Sequence, residues 1–164
     1  MLRHPRRVLI VRSLIPALLL FSEIAMASMF GTLFASRPPA TLGVRDGKLA
    51  PCPNRPNCVS SAASDARHSI APIAFRGDPA TAMAKMAAVV RAMPGLTIVT
   101  VKPDYLHAQF ASSVFGFVDD VELALDPRTQ TFAVRSAARL GYGDFGVNRK
   151  RIEAIRNAYS AVQG

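Results

Sequence analysis

Hydrophobic positions along the chain fall into two regimes. From Ser13 to Ser36 they are almost continuous, with Glu23 the single charge. From Asp78 onward they recur at the spacings of helices and strands. Between these regimes, Arg37 to Asp78 shows no sustained period and holds six prolines, Pro38, Pro39, Pro51, Pro53, Pro56 and Pro72. A stretch this irregular is either linker or functional loop. It divides into a linker over 37–50 and an ordered loop over 51–68. Ser69 to Phe75 reads as a short edge strand, because Pro72 bars a central position.

The periodic part opens at Asp78-Pro79, an N-cap residue followed by proline at the first helical position. The helix should run to about Met93. Met83, Met86, Val90 and Met93 lie on one stripe, and at that spacing the stripe is core. Pro94-Gly95 stops it. Four strands follow: Leu96–Lys102, Tyr105–Ser112, Phe117–Leu125 and Gln130–Ala138, the last two joined by a turn at Asp126–Thr129. Arg139–Phe145 is a glycine-rich loop. Val147–Val162 is a helix with Ile152, Ile155, Tyr159 and Val162 on one face. Short turns between consecutive strands require antiparallel pairing. The expected fold is therefore α+β, an antiparallel sheet of about four strands with two helices on one side, in a single domain over 51–164.

Pairing the strands tests this arrangement. If the 113–116 loop sets Ser112 opposite Phe117, Leu106 faces Leu123, Ala108 faces Val121 and Phe110 faces Asp119. If the 126–129 turn sets Leu125 opposite Gln130, Leu123 faces Phe132, Val121 faces Val134 and Asp119 faces Ser136. One face is then apolar across three strands, as a half-buried sheet requires. The other face carries His107 opposite Glu122, and a row of Gln109, Asp120 and Arg135. Asp120 is expected in a cross-strand ion pair with Arg135. Asp119, on the core side, needs a partner, because a bare buried charge is very costly. Ser136 or loop amides after Arg139 are in reach. Asp119 either ties down a loop or stands as a carboxylate of raised pKa at a pocket mouth.

Charge adds an address. The net charge is +9, and Arg3, Arg6, Arg7 and Arg12 all precede the apolar run. From residue 37 onward sixteen basic and ten acidic residues remain, a formal +6. The apolar run is long enough to cross a bilayer core of about 30 Å as a helix. A positive flank stays cytoplasmic, which sends the rest of the chain outside. Residues 1–36 are thus expected to be a single-pass anchor in the inner membrane, contacting lipid through residues 13–36, with the domain extracytoplasmic. The competing expectation is a removed signal peptide: Leu14–Phe21 is a short apolar core and Ala25-Met26-Ala27 a small-x-small site, giving a periplasmic protein cut near Ala27. Either address argues against nucleic acid as a partner of the basic charge, leaving a small anion or an envelope protein.

The address also bears on the two cysteines, Cys52 and Cys58. In an oxidising compartment a pair this close reads as a disulfide. A metal pair lacks matching ligands, and the spacing is not that of a redox dithiol. No metal or cofactor is expected. Gly141, Gly143 and Gly146 match a dinucleotide fingerprint only in spelling: no parallel βαβ unit surrounds them, and Asp144 would sit in the phosphate cradle. Arg135, Arg139, Arg149 and Arg151 surround a loop that feeds a helix N-terminus, an arrangement able to hold a small anion. The alternative is that Asp144 caps the helix and pairs with an arginine. His68 and His107 are too few for a metal cluster, and Ser60-Ser61 lack a nucleophile-elbow setting.

Pro56-Asn57-Cys58-Val59-Ser60-Ser61, Asp119 to Glu122, Arg135 to Arg139, Gly143 to Arg149 and Arg151-Ile152-Glu153 together resemble the domain-of-unknown-function family number 1499, over about residues 43–162. That family occurs in bacteria and chloroplasts and has no established activity. The resemblance implies that these polar positions belong together. The expected function is non-catalytic binding of a small anionic ligand or partner protein. The site would comprise Asn57, Ser60, Ser61, Asp119, Arg135, Ser136, Arg139, Asp144, Asn148 and Arg151. The alternatives are a hydrolase-type enzyme with Asp119 as general base, and a structural or assembly factor of an envelope complex.

Overall fold

In a computed structural model, which describes residues 37–111 and 117–163, the chain forms one antiparallel sheet with two helices against one face. The elements are β1 (Cys58–Ser60), β2 (Ile73–Ala74), α1 (Pro79–Ala92), β3 (Leu96–Val101), β4 (Tyr105–Ala111), β5 (Val118–Asp126), β6 (Thr131–Ala138) and α2 (Val147–Ala161). The sheet has six strands in the order β1-β6-β5-β4-β3, with β2 also paired to β6. The helices and the four long strands fall where the hydrophobic periods put them. The other two strands are three and two residues long, too short to carry a period; β2 lies within the Ser69–Phe75 stretch expected as an edge strand but is shorter, and β1 was not expected. Since β5 occupies one edge of β6, β1 and β2 share the other: β1 covers Arg135–Ala137 and β2 covers Thr131 and Phe132. Ser61 fills the gap between them. Its amide donates to the Val134 carbonyl at 2.9 Å, and its hydroxyl accepts from the Val134 amide at 2.9 Å.

The β4–β5 register is the expected one, with Leu106 opposite Leu123 and Phe110 opposite Asp119. The β5–β6 register differs by two residues. Leu125 pairs with Phe132, Leu123 with Val134, Val121 with Ser136 and Asp119 with Ala138. The turn closes on Asp126 and Thr131 instead of Leu125 and Gln130, with Gln130 in the left-handed region at φ 50°. A slip of two preserves which face each side chain points to. It changes every cross-strand partner, and so the ion pairs.

The main core lies between the sheet and the helices. Leu106, Ala108, Val121, Leu123, Phe132 and Val134 from the strands meet Met83, Met86 and Val90 of α1 and Ile152, Ile155 and Tyr159 of α2. Phe132 is held between Phe75 (centroids 5.4 Å apart) and Tyr159 (5.6 Å, edge-on), the tilted geometries that aromatic quadrupoles prefer. Asp78 caps α1 by accepting from the Thr81 amide at 2.8 Å. Val162 lies beyond α2 and is exposed, so the buried stripe of that helix ends at Tyr159.

The opposite face of the sheet is not a solvent face. A second apolar cluster of Leu49, Tyr105 and Ala124, with Ala133 against it, lies there. Part of the segment expected to be linker therefore rests on the sheet. Arg45 and Lys48 exchange backbone hydrogen bonds across an Asp46-Gly47 turn, both of whose residues have positive φ. The Gly43 amide reaches the Glu122 carboxylate. Cys52 and Cys58 form a disulfide, which folds the 51–57 loop back against β1. The apolar run over 13–36 lies outside the described residues. Among those described, no helix is long and apolar enough to cross a membrane.

Candidate functional site

Pairing alternates side chains between the two faces, and the second face collects charge. One row across the sheet is His107, Glu122, Arg135 and Ser60; the next is Gln109, Asp120, Ala137 and Cys58. Glu122 is fully buried. Its carboxylate accepts from the Tyr105 hydroxyl at 2.9 Å, Arg135 Nη1 at 3.0 Å and the Gly43 amide at 2.7 Å. Those donors offset the several kcal/mol that desolvating a carboxylate costs. Burial, followed by the charge of Glu122, pushes the Tyr105 hydroxyl well above its ordinary value, so it stays a donor.

Asp120 is not the partner of Arg135. The two-residue register difference gives Arg135 to Glu122, and Asp120 is reached by Arg139 instead. Arg139 Nε donates to one oxygen at 2.8 Å and Nη2 to the other at 2.7 Å, a bidentate fork, and His107 Nε2 lies 2.8 Å away. Burial acts to raise the Asp120 pKa. Arg139 and His107 outweigh it and hold the carboxyl below its ordinary value.

Of these rows, Asp120, Arg135 and Ala137 line an open groove of about 400 Å³. Asp120, Arg135 and Ala137–Arg139 come from the sheet, Asn57 and Arg55 from the disulfide loop, and Pro39 and Thr41 from the segment that crosses the face. Arg135 Nε is buried and has no hydrogen-bond acceptor among the described residues. Arg55 is exposed. A hollow of about 470 Å³ is built by residues 41–51 and contains none of the candidate residues.

The inner face holds a separate network. Arg151 Nη2 lies 2.8 Å from the Asp119 carboxylate. Arg151 Nη1 donates to Asn148 Oδ1 at 2.7 Å and to Ser136 Oγ at 3.3 Å, and the guanidinium stacks over Phe110 at 4.1 Å. Ser136 also donates to Asn148 Oδ1. Asn148 Nδ2 donates to the Asn57 carbonyl at 3.2 Å and to Asp144 at 2.8 Å. The partner of Asp119 is thus Arg151, supplied by the helix that packs over its end of the sheet, and not Ser136 or the loop amides. Burial raises the Asp119 pKa, and Arg151 offsets only part of the rise. Asp144 accepts from the Gly146 and Asn148 amides at 3.0 and 2.8 Å, so it caps the start of α2; its side-chain partner is Asn148.

The ten candidate residues therefore do not converge. Asp119, Ser136, Asp144, Asn148 and Arg151 tie α2 to the sheet, while Arg135 and Arg139 lie on the opposite face. Ser60 and Ser61 serve the β1 edge, where the Ser60 hydroxyl accepts from the Ala62 amide. Asn57 links the groups: it lines the groove, its carbonyl holds Asn148, and its Nδ2 donates to the Gly141 carbonyl at 2.9 Å. Arg149 faces neither network and donates to the Ser69 and Arg67 carbonyls. Sequence reasoning placed Glu122 on the second face without naming it a candidate, and missed Arg55 and Tyr105 there. The pairing of His107 with Glu122 was the available signal. Among the described residues no group of three or more His, Cys, Asp or Glu side chains is arranged to hold a metal ion.

Comparison with known proteins agrees with the polar motifs. The model of the family described as "Protein of unknown function (DUF1499)" matches residues 48–159, and the chain belongs to that family. A search of curated proteins finds none that matches.

Proposed function

We propose that this DUF1499 member is a non-catalytic, membrane-tethered extracytoplasmic domain that takes a small anion in the groove on the second face of its sheet. The observation that carries the reading is the Arg135 Nε–H, buried without an acceptor in a groove that Arg139 and Arg55 also line. Glu122 and Asp120 offset two of those guanidinium charges, and Arg55 leaves a surplus of one positive charge. A buried donor without an acceptor is a cost of about 1–3 kcal/mol that an oxyanion would remove.

The alternative with Asp119 as general base has weaker support. Its raised pKa suits a base, but its carboxylate is engaged by Arg151 on the face away from the groove. The test is thermal unfolding with phosphate, sulfate, acetate and citrate. At a tenfold excess over Kd, bound anion adds about 1.4 kcal/mol, a Tm rise of roughly 5 °C for a domain of this size. Arg55→Ala removes the exposed charge, and Arg135→Lys keeps the charge but deletes Nε; each should reduce the rise. No rise with any anion, or an unchanged rise in both variants, overturns the proposal.

A further inference from the structure

The loop between β6 and α2 carries a feature that the groove does not use. Leu140, Tyr142, Phe145 and Val147 are 40%, 70%, 100% and 42% exposed. Four large apolar side chains within eight residues is far more than scattered surface hydrophobics amount to, and exposed apolar clusters mark contact sites. The presentation is built in. Phe145 sits at φ 53°, a region costly for an aromatic residue, and is flanked by Gly146 at φ 75°. Asp144 fixes the turn by accepting from the Gly146 and Asn148 amides, and Asn57 anchors the loop's start at the Gly141 carbonyl.

What this loop meets follows from where the chain enters the domain. The apolar run ends at residue 36, and Pro39 already lines the groove beside Ala138 and Arg139. Two residues separate the end of the run from that contact, at most about 10 Å of extended chain. The loop leaves the groove wall at Leu140. The entry point and the exposed loop are thus at the same end of the sheet. Exposed basic residues accompany them: Arg37 just upstream of Pro39, Arg55 in the groove and Lys150 in the first turn of α2. Aromatic tips with basic neighbours suit an interface of anionic headgroups over acyl chains.

We propose that the 140–147 loop inserts Tyr142 and Phe145 into the surface of the bilayer that holds residues 13–36, docking the domain flat on the membrane instead of leaving it on a free tether. This rests on the tethered reading given above. The test uses the full chain, which has no tryptophan, reconstituted into vesicles of phosphatidylcholine and phosphatidylglycerol. Phe145→Trp places a reporter in the loop. Val99→Trp places one on the exposed side of the edge strand β3, at the other edge of the sheet. With lipids brominated along the acyl chain, the Trp at 145 should lose at least about half its emission, as expected of a ring lying roughly 5–10 Å deep, and the Trp at 99 should not.

Equal quenching at the two positions, in chains that float with the vesicles, overturns the loop proposal and leaves the tether intact. Chains that do not float overturn the tether and the docking together. Emission at 145 that is already blue-shifted in detergent and sharpens with protein concentration identifies a second copy as the occupant, and also overturns the proposal.

Discussion

Removing Glu122 should be among the most damaging single changes on the second face. The carboxylate is fully buried, and Arg135 opposite it has a side chain only 8% exposed. Glu122→Leu keeps the volume but strands the Arg135 guanidinium, the Tyr105 hydroxyl and the Gly43 amide. Breaking a buried pair from one side costs about 3–5 kcal/mol. Arg135 lines an open groove and can recruit water, which places the loss near the lower end, about 3 kcal/mol. With a urea m-value of about 2 kcal/mol/M, the unfolding midpoint should fall by roughly 1.5 M. Arg135→Leu should cost a similar amount, because it leaves Glu122 charged and buried. The double variant replaces both charges with apolar volume and should recover at least about 2 kcal/mol relative to the sum of the singles. Urea unfolding followed by far-UV circular dichroism gives the four free energies. Single losses below about 1 kcal/mol, as for exposed pairs, or strict additivity, would show that the pair is solvated and that the second face is not a buried polar layer.

Other changes have distinct signatures. Opening the Cys52–Cys58 bridge, whose cysteines are six positions apart, should cost about 2 kcal/mol by loop-closure entropy, seen as a lower Tm with reductant; an unchanged Tm contradicts it. Ser61→Ala strips the Val134 amide of its acceptor and should cost about 1–2 kcal/mol, whereas Ser61→Thr should keep most of it; equal losses would deny the hydroxyl that role. Gly95→Ala sets a methyl 2.9 Å from the Phe110 ring at φ 75°, so a loss above the roughly 1 kcal/mol backbone cost is expected and a stabilised variant refutes it. His68 is raised above 6.5 by its hydrogen bond to Asp65, then by the Arg55 carbonyl. Its contribution is whole below pH 6.5 and is lost as pH rises through the folded value. The wild-type urea midpoint should therefore fall across that interval relative to His68→Gln, and parallel pH profiles would count against it.

How much of this was legible depended on the length of each signal. Met83, Met86 and Val90 repeat over about two turns, and the long strands alternate or run rich in β-branched residues between clear turn signals, so both helices and most of the sheet could be read. β1 is too short to repeat anything and had no cue, while β2 is the two-residue remnant of the edge strand read over Ser69–Phe75. The 37–50 segment was read as linker because its prolines and glycines break periodicity. Asp46-Gly47 was nevertheless a type I′ hairpin signal, and Leu49 an apolar residue with somewhere to go. The site failed for a geometric reason. Faces are decided by parity, which tolerates a register slip of two; ion pairs are decided by register, which does not. Asp119 and Asp120 were separated correctly, and Arg135 was then given to the wrong carboxylate.

That slip has a functional consequence. With Arg135 on Asp120, Arg139 would be a loop arginine available to a ligand. With Arg135 on Glu122 and Arg139 on Asp120, the two buried carboxylates each consume one guanidinium, and both pairs lie under the segment from Pro39 to Cys52. That segment contributes the Gly43 amide to Glu122 and Leu49 to the second apolar cluster. The segment that begins at Pro39 is therefore part of the layer that covers Glu122. Glu122 stays covered while that segment rests on the sheet, which leaves only residues 37 and 38 between the apolar run and the packed chain at Pro39, the physical reason for expecting the exposed 140–147 loop to work at a surface close to where the chain enters.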